Sequence, residues 1–160
     1  MDNQQAIGLL LGGLYSGEGH FSLWKAQRSE KWELRSEIGF SNNDPAILAY
    51  MIGVLDSKNI RFHIRENNSG CFQIVVRHYS DMLALMDIVE PYLIGRKKAE
   101  ASILRRFIVH RQKYQKGGNK QRQYNDTDYE IVAEKEKLRE SSETTCLAEL
   151  NKLGRYSPAH

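Results

Sequence analysis

The stretch that decides the fold is residues 6–19, Ala-Ile-Gly-Leu-Leu-Leu-Gly-Gly-Leu-Tyr-Ser-Gly-Glu-Gly. Its apolar side chains recur at i, i+3, i+4 and i+7, which is the spacing of one face of an α-helix. The predicted buried face of this helix consists of Ile7, Leu10, Leu11 and Leu14. Glycines interrupt the pattern, although each glycine in a helix interior costs about 0.5–1 kcal/mol relative to alanine. A packing requirement must offset that cost.

The glycines themselves have a regular spacing. Gly8 and Gly12 are four residues apart. Gly13 and Gly17 are also four apart, so two patches of bare backbone line up on the helix surface. Such patches allow a second helix to approach closely. The apolar run is far shorter than the roughly 20 residues of a membrane span, so the spacing predicts a helix–helix seam outside a membrane.

An acidic residue ends the predicted helix. The macrodipole is negative there, and it disfavours a carboxylate such as that of Glu18 by some tenths of a kcal/mol. A carboxylate beside unpaired helix-end carbonyls is favourable when a cation lies between them. These hard oxygen atoms are the ligands that Mg²⁺ prefers, so the sequence predicts a metal site at Glu18.

Residues 11–21, Leu-Gly-Gly-Leu-Tyr-Ser-Gly-Glu-Gly-His-Phe, resemble the signature of the LAGLIDADG homing endonucleases in the variant that ends Gly-Glu-Gly. The resemblance implies that Glu18, the last acid, binds a divalent metal at the scissile phosphates of DNA. It also implies that the backbone carbonyl of Gly17 shares this metal, which is Mg²⁺, with Mn²⁺ or Ca²⁺ able to take its place. Ser16 departs from the family, which usually has aspartate at this helix-end position.

The sequence contains one copy of the motif. One copy supplies one acid, whereas cutting both DNA strands requires two, so the resemblance implies a homodimer and a near-palindromic target. In such a dimer the motif helix packs against its symmetry mate. The residues predicted at the dimer interface are Gly8, Leu11, Gly12, Gly13 and Tyr15.

Alternating apolar and polar side chains predict two β-hairpins after the motif helix. A helix is predicted after each hairpin. The first starts at Asn43 or Asp44, where a capping side chain precedes Pro45, and the second starts at Ser80 or Asp81. The predicted strands span residues 20–28, 32–42, 60–65 and 72–77.

This order predicts an α+β protein with the arrangement αββαββα, in which helices cover one face of a four-stranded antiparallel sheet. The resemblance to the LAGLIDADG homing endonucleases implies that this is the LAGLIDADG fold, with a saddle-shaped sheet. The length of 160 residues suits one domain. We expect the core arrangement in residues 1–91 and additional helices in 92–160. One of these is predicted over 92–116. Another is expected to begin at a Thr127/Glu130 capping box and to be interrupted after 140.

Positive charge is concentrated in one segment. The net charge is only +3, but residues 96–122 contain ten Lys or Arg and one acid, whereas 1–95 contain eight against eleven acids and 123–160 five against eight. Concentrated positive charge favours a polyanion partner. A solvated charged helix and loop is the alternative. No membrane partner is expected, since no signal peptide or spanning segment is recognisable. No small-molecule substrate is expected either.

The two cysteines, Cys71 and Cys146, form no spaced framework. Free thiols in a reducing, intracellular compartment are therefore expected rather than a disulfide.

The sheet face opposite the helices is predicted to bind double-stranded DNA, because its Arg, Gln and Glu side chains match the edges of guanine, adenine and cytosine. An ordinary solvated sheet face is the alternative. The sheet residues assigned to DNA are Ser22, Trp24, Arg28, Glu33, Arg35, Glu37, Arg61, His63, Arg65, Gln73 and Arg77, and Asn67 is assigned to DNA from the turn of the second hairpin. Lys98, Lys116 and Lys120 are assigned to DNA from the basic segment.

Two further active-site positions follow from the resemblance. The run Gly95-Arg96-Lys97-Lys98 resembles the family stretch that carries a basic active-site residue, and Arg96 or Lys97 matches that residue. A cation there stabilises the charge of the transition state; a phosphate contact or a solvated helix start is the alternative. Asn42 matches a polar position that helps to hold water, with a capping or turn role as the alternative.

The resemblance implies a site-specific endonuclease that makes a double-strand break by metal-dependent phosphodiester hydrolysis. The alternative within the same fold is an RNA maturase that assists intron splicing, or a DNA-binding regulator that does not cleave. Loss of the metal-binding acid would favour that alternative, and here Glu18 is retained.

Overall fold

The structure, a computed structural model, describes residues 2–28, 31–66, 70–114 and 124–152, with the side chains of 28, 31, 114 and 142–152 left out. The elements run in the predicted αββαββα order and continue into two more helices, which confirms the α+β class. They are α1 (Asn3–Glu18), β1 (Gly19–Arg28), β2 (Lys31–Asn42), α2 (Pro45–Ser57), β3 (His63–Glu66), β4 (Phe72–Val76), α3 (Tyr79–Val89), a 3₁₀ turn (Glu90–Tyr92), α4 (Gly95–Tyr114) and α5 (Asp126–Lys152).

The four strands form one antiparallel sheet in the order β1-β2-β4-β3, which confirms both predicted hairpins. Phe21 pairs with Ile38, and Ile38 pairs with Val76. Directly paired residues lie on the same face of a sheet. All three side chains are buried in the hydrophobic core, so this face is the one that the helices cover.

A single hydrophobic core joins the sheet to all five helices of the described chain. It includes Leu11 of α1, Met51 of α2, Leu85 of α3, Phe107 of α4 and Val132 of α5. Four of these five side chains are completely buried, and Val132 is 5% exposed. The two C-terminal helices therefore pack into the same core as the αββαββα arrangement. None of the helices in the described ranges has the length and apolarity needed to cross a membrane.

The starts of α2 and α3 test two predictions. The carboxylate of Asp44 accepts a hydrogen bond from the Ala46 N–H at 2.8 Å, which confirms Asp44 as the cap of α2. The predicted start of α3 at Ser80 or Asp81 is wrong, because the helix begins at Tyr79 without a side-chain cap. Asp81 instead binds the guanidinium of Arg61 at 2.7 Å.

Helix α5 begins one residue before the predicted capping box. The Asn125 N–H donates to the Asp128 carboxylate at 2.9 Å, and the Asp128 N–H donates to the Asn125 side-chain oxygen at 3.1 Å. This reciprocal pair replaces the predicted Thr127/Glu130 box, because buried Asp128 is also held by Arg111 of α4 at 3.1 Å. A tertiary contact thus sets the helix start.

The predicted interruption of this helix after residue 140 is wrong, because α5 continues to Lys152. The Ser141 hydroxyl donates to the Leu138 carbonyl at 3.2 Å. Serine in this back-bonded position stays compatible with a helix. The polar run therefore does not break it.

The first glycine pair forms a seam within the chain. A Cβ atom added at Gly8 would lie 2.4 Å from the Tyr92 ring, and one added at Gly12 would lie 2.4 Å from the Tyr92 Cβ. Gly8 and Gly12 thus let α1 approach the 3₁₀ turn closely. Packing within one chain therefore explains why glycine stands at positions 8 and 12 of the helix, and no second copy is needed for this explanation.

The buried face of α1 differs from the prediction. Leu11 and Tyr15 are completely buried and lie on the same face as Gly8 and Gly12, whereas Leu10 is 49% exposed. The expectation that Leu10 is buried is wrong, because the approach of Tyr92 turns the glycine face inward. The opposite face of α1 carries Leu9, Leu10, Gly13 and Gly17, which are all exposed.

The Tyr15 hydroxyl is buried and has no hydrogen-bond partner among the described residues. Its ring packs against Phe21 and Phe40, with centroids 5.9 and 5.6 Å away, and burial raises the pKa of the phenol. A buried polar group without a partner destabilises a fold. We expect Tyr15→Phe to raise the free energy of unfolding by about 1 kcal/mol. Urea unfolding measures this change.

The control for that variant is Tyr50→Phe, since Tyr50 is an exposed tyrosine on α2. Its free energy of unfolding should change by less than about 0.5 kcal/mol. A lower stability for Tyr15→Phe than for the wild type would show that the hydroxyl has a partner.

Candidate active site and nucleic-acid interface

The acidic residue of the motif is the last residue of α1. Glu18 is exposed, and within the described residues its carboxylate takes part in no hydrogen bond or ion pair. Gly17 beside it is exposed as well, and the last carbonyls of a helix lack partners inside the helix. Carboxylate and carbonyl oxygens at an open helix end are a donor set that fits Mg²⁺, Mn²⁺ or Ca²⁺.

The start of α4 lies against this helix end. The Lys97 ammonium donates a hydrogen bond to the carbonyl of Gly19, the residue that follows Glu18. The Ile94 N–H donates to the Ser16 hydroxyl at 3.3 Å. Gly95 adopts a left-handed φ of 57° as the chain turns into α4. The structure therefore brings Lys97 to the acidic end of α1.

Ser16 has a structural role at this junction. Its hydroxyl donates to the Gly12 carbonyl at 2.7 Å while it accepts from Ile94. The departure from the usual aspartate therefore leaves a helix-end contact in place.

The other two basic residues of the run point elsewhere. Arg96 binds the buried carboxylate of Glu100 at 2.7 Å, one helical turn further along α4. Lys98 is exposed and lines a pocket with Asp87 and Glu90 at the end of α3. Of the three, Lys97 is placed best for a role beside Glu18.

Asn42 lies at the end of β2, where its side-chain oxygen accepts a hydrogen bond from the Asp44 N–H at 2.7 Å. This is the turn role that the sequence left open as an alternative. The structure thus ties Asn42 to the start of α2 and shows no contact with Glu18.

The open face of the sheet is organised around a buried carboxylate. Glu37 is 5% exposed, although it was expected to meet base edges. Its oxygens lie 2.7 Å from the Arg65 guanidinium, 3.2 Å from that of Arg77 and 3.5 Å from the His20 imidazole. The expectation of a base contact is therefore wrong for Glu37, because three side chains surround it.

His20 reaches Glu37 across a glycine. A Cβ atom added at Gly39, the residue paired with His20, would lie 2.0 Å from the imidazole ring. The absence of a side chain at Gly39 therefore makes room for His20. His20 lies on β1 directly after the motif, and nothing in the sequence around it predicted the contact with Glu37.

The ion pairs change the acidity of Glu37. Burial raises the pKa of this carboxyl, but hydrogen bonds from His20, Arg65 and Arg77 and the charge of Arg65 outweigh burial and lower it to about 2. A pKa depressed below the ordinary 4.5 stabilises the folded state above that pH, and the stabilisation is lost as the pH falls toward 2.

We expect Glu37→Gln to lower the free energy of unfolding at pH 7 by about 3 kcal/mol. Its stability should fall less steeply than that of the wild type between pH 5 and pH 2. Urea unfolding across this pH range measures both effects. Glu33→Gln on the same strand is the control, with a change below about 1 kcal/mol, since Glu33 is only partly buried. Parallel pH profiles for Glu37→Gln and the wild type would contradict the account.

The other sheet residues predicted to contact DNA lie around Glu37. Gln73 accepts from Arg65 at 2.7 Å and donates to the Ser41 hydroxyl at 2.8 Å. Arg35 lies 3.6 Å from Glu33, and His63 is exposed on β3. Arg61 precedes β3 and is held by α3, as described above.

Ser22 and Trp24 line a groove between β1, α4 and α5. Asn67, Lys116, Lys120 and the Arg28 side chain lie outside the described residues.

Several cations of the basic segment form ion pairs within the described chain. Arg105 binds Asp87 at 2.8 Å and Glu90 at 2.6 Å. Arg106 binds Glu134, and Arg111 is 7% exposed and bound to Asp128. The concentration of positive charge in the sequence thus serves helix packing at three positions.

The predicted dimer interface is corrected by the orientation of α1. Gly8, Leu11, Gly12 and Tyr15 face the chain's own core and are buried, so they are not available to a second copy. Gly13 alone among the five predicted residues is exposed, and a Cβ added there meets no atom within 4 Å.

Two charged residues near the motif were missed by sequence reasoning. Glu100 is 3% exposed, and Lys135 of α5 binds it at 3.1 Å. The i,i+4 spacing of Arg96 and Glu100 was a signal for their pair. Lys135 comes from a distant helix and left no local signal.

Within residues 2–28, 31–66, 70–114 and 124–152, no three His, Cys, Asp or Glu side chains are grouped as metal ligands. Cys71 is half-buried and forms no disulfide within the described residues, and the Cys146 side chain lies outside them. Glu18 is thus a single acid at an exposed helix end.

No family model matches the sequence, and no curated protein matches it. Solved structures do match. The homing endonuclease I-CvuI, solved in complex with its target in the presence of 2 mM Ca, is 16% identical, with a TM-score of 0.60 over 96% of this chain and 98% of that chain. The homing endonuclease I-TnaI is 16% identical, with a TM-score of 0.61 over 90% of this chain and 99% of that chain.

A third structure has a different length. The LAGLIDADG homing endonuclease I-GzeII, solved in complex with a DNA target, is 18% identical, with a TM-score of 0.58 over 87% of this chain. The match covers 44% of I-GzeII, so this chain spans less than half of that protein. The element order αββαββα and the antiparallel sheet agree with the likeness to these solved structures. The chain has the fold of the LAGLIDADG homing endonucleases.

Proposed function

We propose that the chain is a site-specific DNA endonuclease that makes a double-strand break as a homodimer. The observation that carries this proposal is the placement of Glu18, an exposed acid without a partner in the described chain, beside Lys97. The supporting observation is the fold, since I-CvuI and I-GzeII are homing endonucleases solved with DNA targets.

Glu18 and the Gly17 carbonyl would hold the divalent metal in this proposal. Their oxygens are hard ligands, and Mg²⁺ completes its shell with water and phosphate oxygens. Such an ion, when bound, polarises the scissile phosphate and lowers the pKa of attacking water. The exposure of Glu18 leaves room for both DNA and a second copy of the chain.

Lys97 would stabilise the negative charge that develops on the phosphate during hydrolysis. A fixed cation in a partly dehydrated site is effective because it needs no reorganisation during the reaction. The side chain of Lys97 is 25% exposed and is already held by the Gly19 carbonyl, so its position is set before DNA binds.

The dimer would form through the exposed face of α1. This face combines bare backbone at Gly13 and Gly17 with the apolar side chains of Leu9 and Leu10, which are 53% and 49% exposed. Small residues let two helices approach closely, and the leucines supply apolar area. Two copies would supply two acids for two strands and would read a near-palindromic site.

The open sheet face would contact the DNA major groove. The exposed guanidinium and imidazole groups of Arg35, Arg65, Arg77 and His63 provide donors for base edges. Backbone phosphates supply most of the affinity of such complexes, so binding should weaken steeply as salt rises.

The test begins with selection of the target from a library of near-palindromic duplexes by the wild-type protein. A plasmid that carries the selected site should be linearised with Mg²⁺ and left intact with EDTA. Specific binding without cleavage in Mg²⁺ or Mn²⁺ would favour a regulator of the same fold. Preference for structured intron RNA over duplex DNA would favour a maturase.

A further inference from the structure

Glu37 joins two arginines that reach it from different parts of the sheet. The Nη2 atom of Arg65 on β3 donates to one carboxylate oxygen at 2.7 Å, and the Nε atom of Arg77, the residue after β4, donates to the other at 3.2 Å. The side chains of Arg65 and Arg77 are 42% and 51% exposed, whereas Glu37 is buried. One buried carboxylate therefore holds two guanidinium groups that remain accessible from the open face.

The Arg65 guanidinium is held by a second residue as well. Its Nε atom donates to the Gln73 side-chain oxygen at 2.7 Å, and the Gln73 amide nitrogen donates to the Ser41 hydroxyl at 2.8 Å. Gln73 pairs with Arg65 on one neighbouring strand and with Ser41 on the other, so the three side chains form a row across the sheet. Hydrogen bonds to two different residues thus set the position of this guanidinium.

Both guanidinium groups keep hydrogen-bond donors for a ligand. A guanidinium has five N–H groups in a rigid planar fork. Within the described residues, Arg65 uses two of these groups and Arg77 uses one. The Nη1 atom of Arg65 and both Nη atoms of Arg77 donate to no oxygen of the described chain. Two neighbouring N–H groups of such a fork match the O6 and N7 acceptors of guanine in the major groove.

The open face combines a packed part with an accessible groove. Val75 pairs with Gly39 and so lies on this face, yet it is completely buried and lies outside the hydrophobic core. Neighbouring side chains of the open face therefore cover it. Arg77, in contrast, lines a groove of about 550 Å³ together with Trp24 and Arg35. The groove gives the edge of a base room to approach a guanidinium that is already held in place.

The strand positions favour base contacts over phosphate contacts. Glu37 lies on β2, a central strand of the sheet, whereas Arg65 belongs to the edge strand β3. The contacts with Glu37 therefore bring the guanidinium groups toward the middle of the open face. When this face lies in the major groove, its middle faces base edges and its margins lie near the phosphates.

We propose that Glu37 is a positioning residue for target recognition, which fixes the guanidinium groups of Arg65 and Arg77 so that each binds a guanine. The proposal rests on the proposed endonuclease function. Ordering a long, mobile side chain upon binding reduces affinity, and a contact that orders it beforehand removes that loss. Because both arginines share one carboxylate, the preference for guanine at two positions of each half-site depends on Glu37.

The first test uses the wild-type protein and the selected target. Each guanine of the duplex is replaced in turn by 7-deazaguanine, which pairs normally with cytosine but lacks the N7 acceptor. Fluorescence anisotropy with EDTA present, so that the DNA stays intact, measures the dissociation constant. We expect it to rise at least about fivefold at two guanines in each half-site. A rise below about twofold at every guanine would overturn the proposal.

Variants assign the two guanines and test Glu37. Arg65→Lys and Arg77→Lys keep the charge and lack the fork, so each should lose the response to 7-deazaguanine at one position, and the two positions should differ. Glu37→Gln should reduce the response at both positions to below about twofold. Glu66→Gln is the matched control and should respond as the wild type does. Glu66 is an exposed residue next to Arg65 on β3, on the opposite face of the sheet.

Glu37→Asp keeps this test independent of the stability of Glu37→Gln. Aspartate retains the charge and with it part of the ion pairing, but its side chain is one methylene shorter and cannot meet both guanidinium groups in the same geometry. We expect the response to fall at one guanine or both. Wild-type responses at both guanines in either folded variant would overturn the positioning role. An equal loss of affinity for every duplex, which a merely structural Glu37 would produce, would overturn it too.

These outcomes are distinct from those that test the proposed function. Cleavage of the selected target without a response to any 7-deazaguanine would overturn this inference and leave the endonuclease proposal standing. A wild-type protein that binds no duplex DNA would overturn both.

Discussion

Glu18→Gln is expected to reduce DNA cleavage by about 10³-fold or more, because glutamine keeps the shape of the side chain and removes its charge. The binding of a divalent cation depends on that charge. Glu18 has no hydrogen bond or ion pair in the described part of the chain, so the substitution should leave the free energy of unfolding unchanged. DNA affinity should also be retained.

The rate of linearisation of the selected-target plasmid in Mg²⁺ measures this effect. Asp56→Asn is the matched control, because Asp56 is an exposed acid in the last turn of α2 and lies far along the chain from the motif. It should cut at the wild-type rate. Equal cleavage by Glu18→Gln and the wild type would show that the metal is held elsewhere.

The second large effect concerns the two glycine pairs of α1. Gly13→Leu should leave the monomer folded, because a Cβ at Gly13 meets no atom within 4 Å. The same side chain would block a second helix, and we expect the dimer dissociation constant to rise by at least about 100-fold. Sedimentation equilibrium measures the dissociation constant, and urea unfolding checks the fold.

Gly12→Ala should instead destabilise the monomer and leave the dimer contact intact. Its Cβ would lie 2.4 Å from the Cβ of Tyr92 and 3.1 Å from the Tyr92 backbone, which cannot move freely. We expect a loss of stability of about 1–3 kcal/mol with the dimer contact preserved. Gly53→Leu is the control for both Gly13→Leu and Gly12→Ala, since a Cβ at Gly53 of α2 also meets no atom within 4 Å. Loss of the dimer in Gly12→Ala but not in Gly13→Leu would reverse the assignment of the two faces.

Periodicity predicted the order of the elements because each of them repeats its apolar side chains regularly. The alternation of apolar and polar side chains predicted the two hairpins, and the Asp44-Pro45 cap identified the start of α2. These are local signals, and the structure confirms them. The motif carried the resemblance that identified the fold.

Long-range contacts explain what the sequence did not predict. Leu10 is exposed because Tyr92, eighty-two positions later, packs on the glycine face of α1. Alternation placed Glu37 on the open face correctly, but it carried no information that Arg65 and Arg77 would enclose it. Lys135 joins Glu100 from another helix in the same way.

The most direct test of the central claim, that each copy supplies one acid for one strand, is cleavage by a mixed dimer. Wild-type and Glu18→Gln chains carrying different affinity tags can be mixed, and the heterodimer can be isolated by both tags. We predict that it nicks a supercoiled target plasmid, while the wild-type dimer linearises it and the Glu18→Gln dimer leaves it intact. Linearisation by the heterodimer at the wild-type rate would contradict the account.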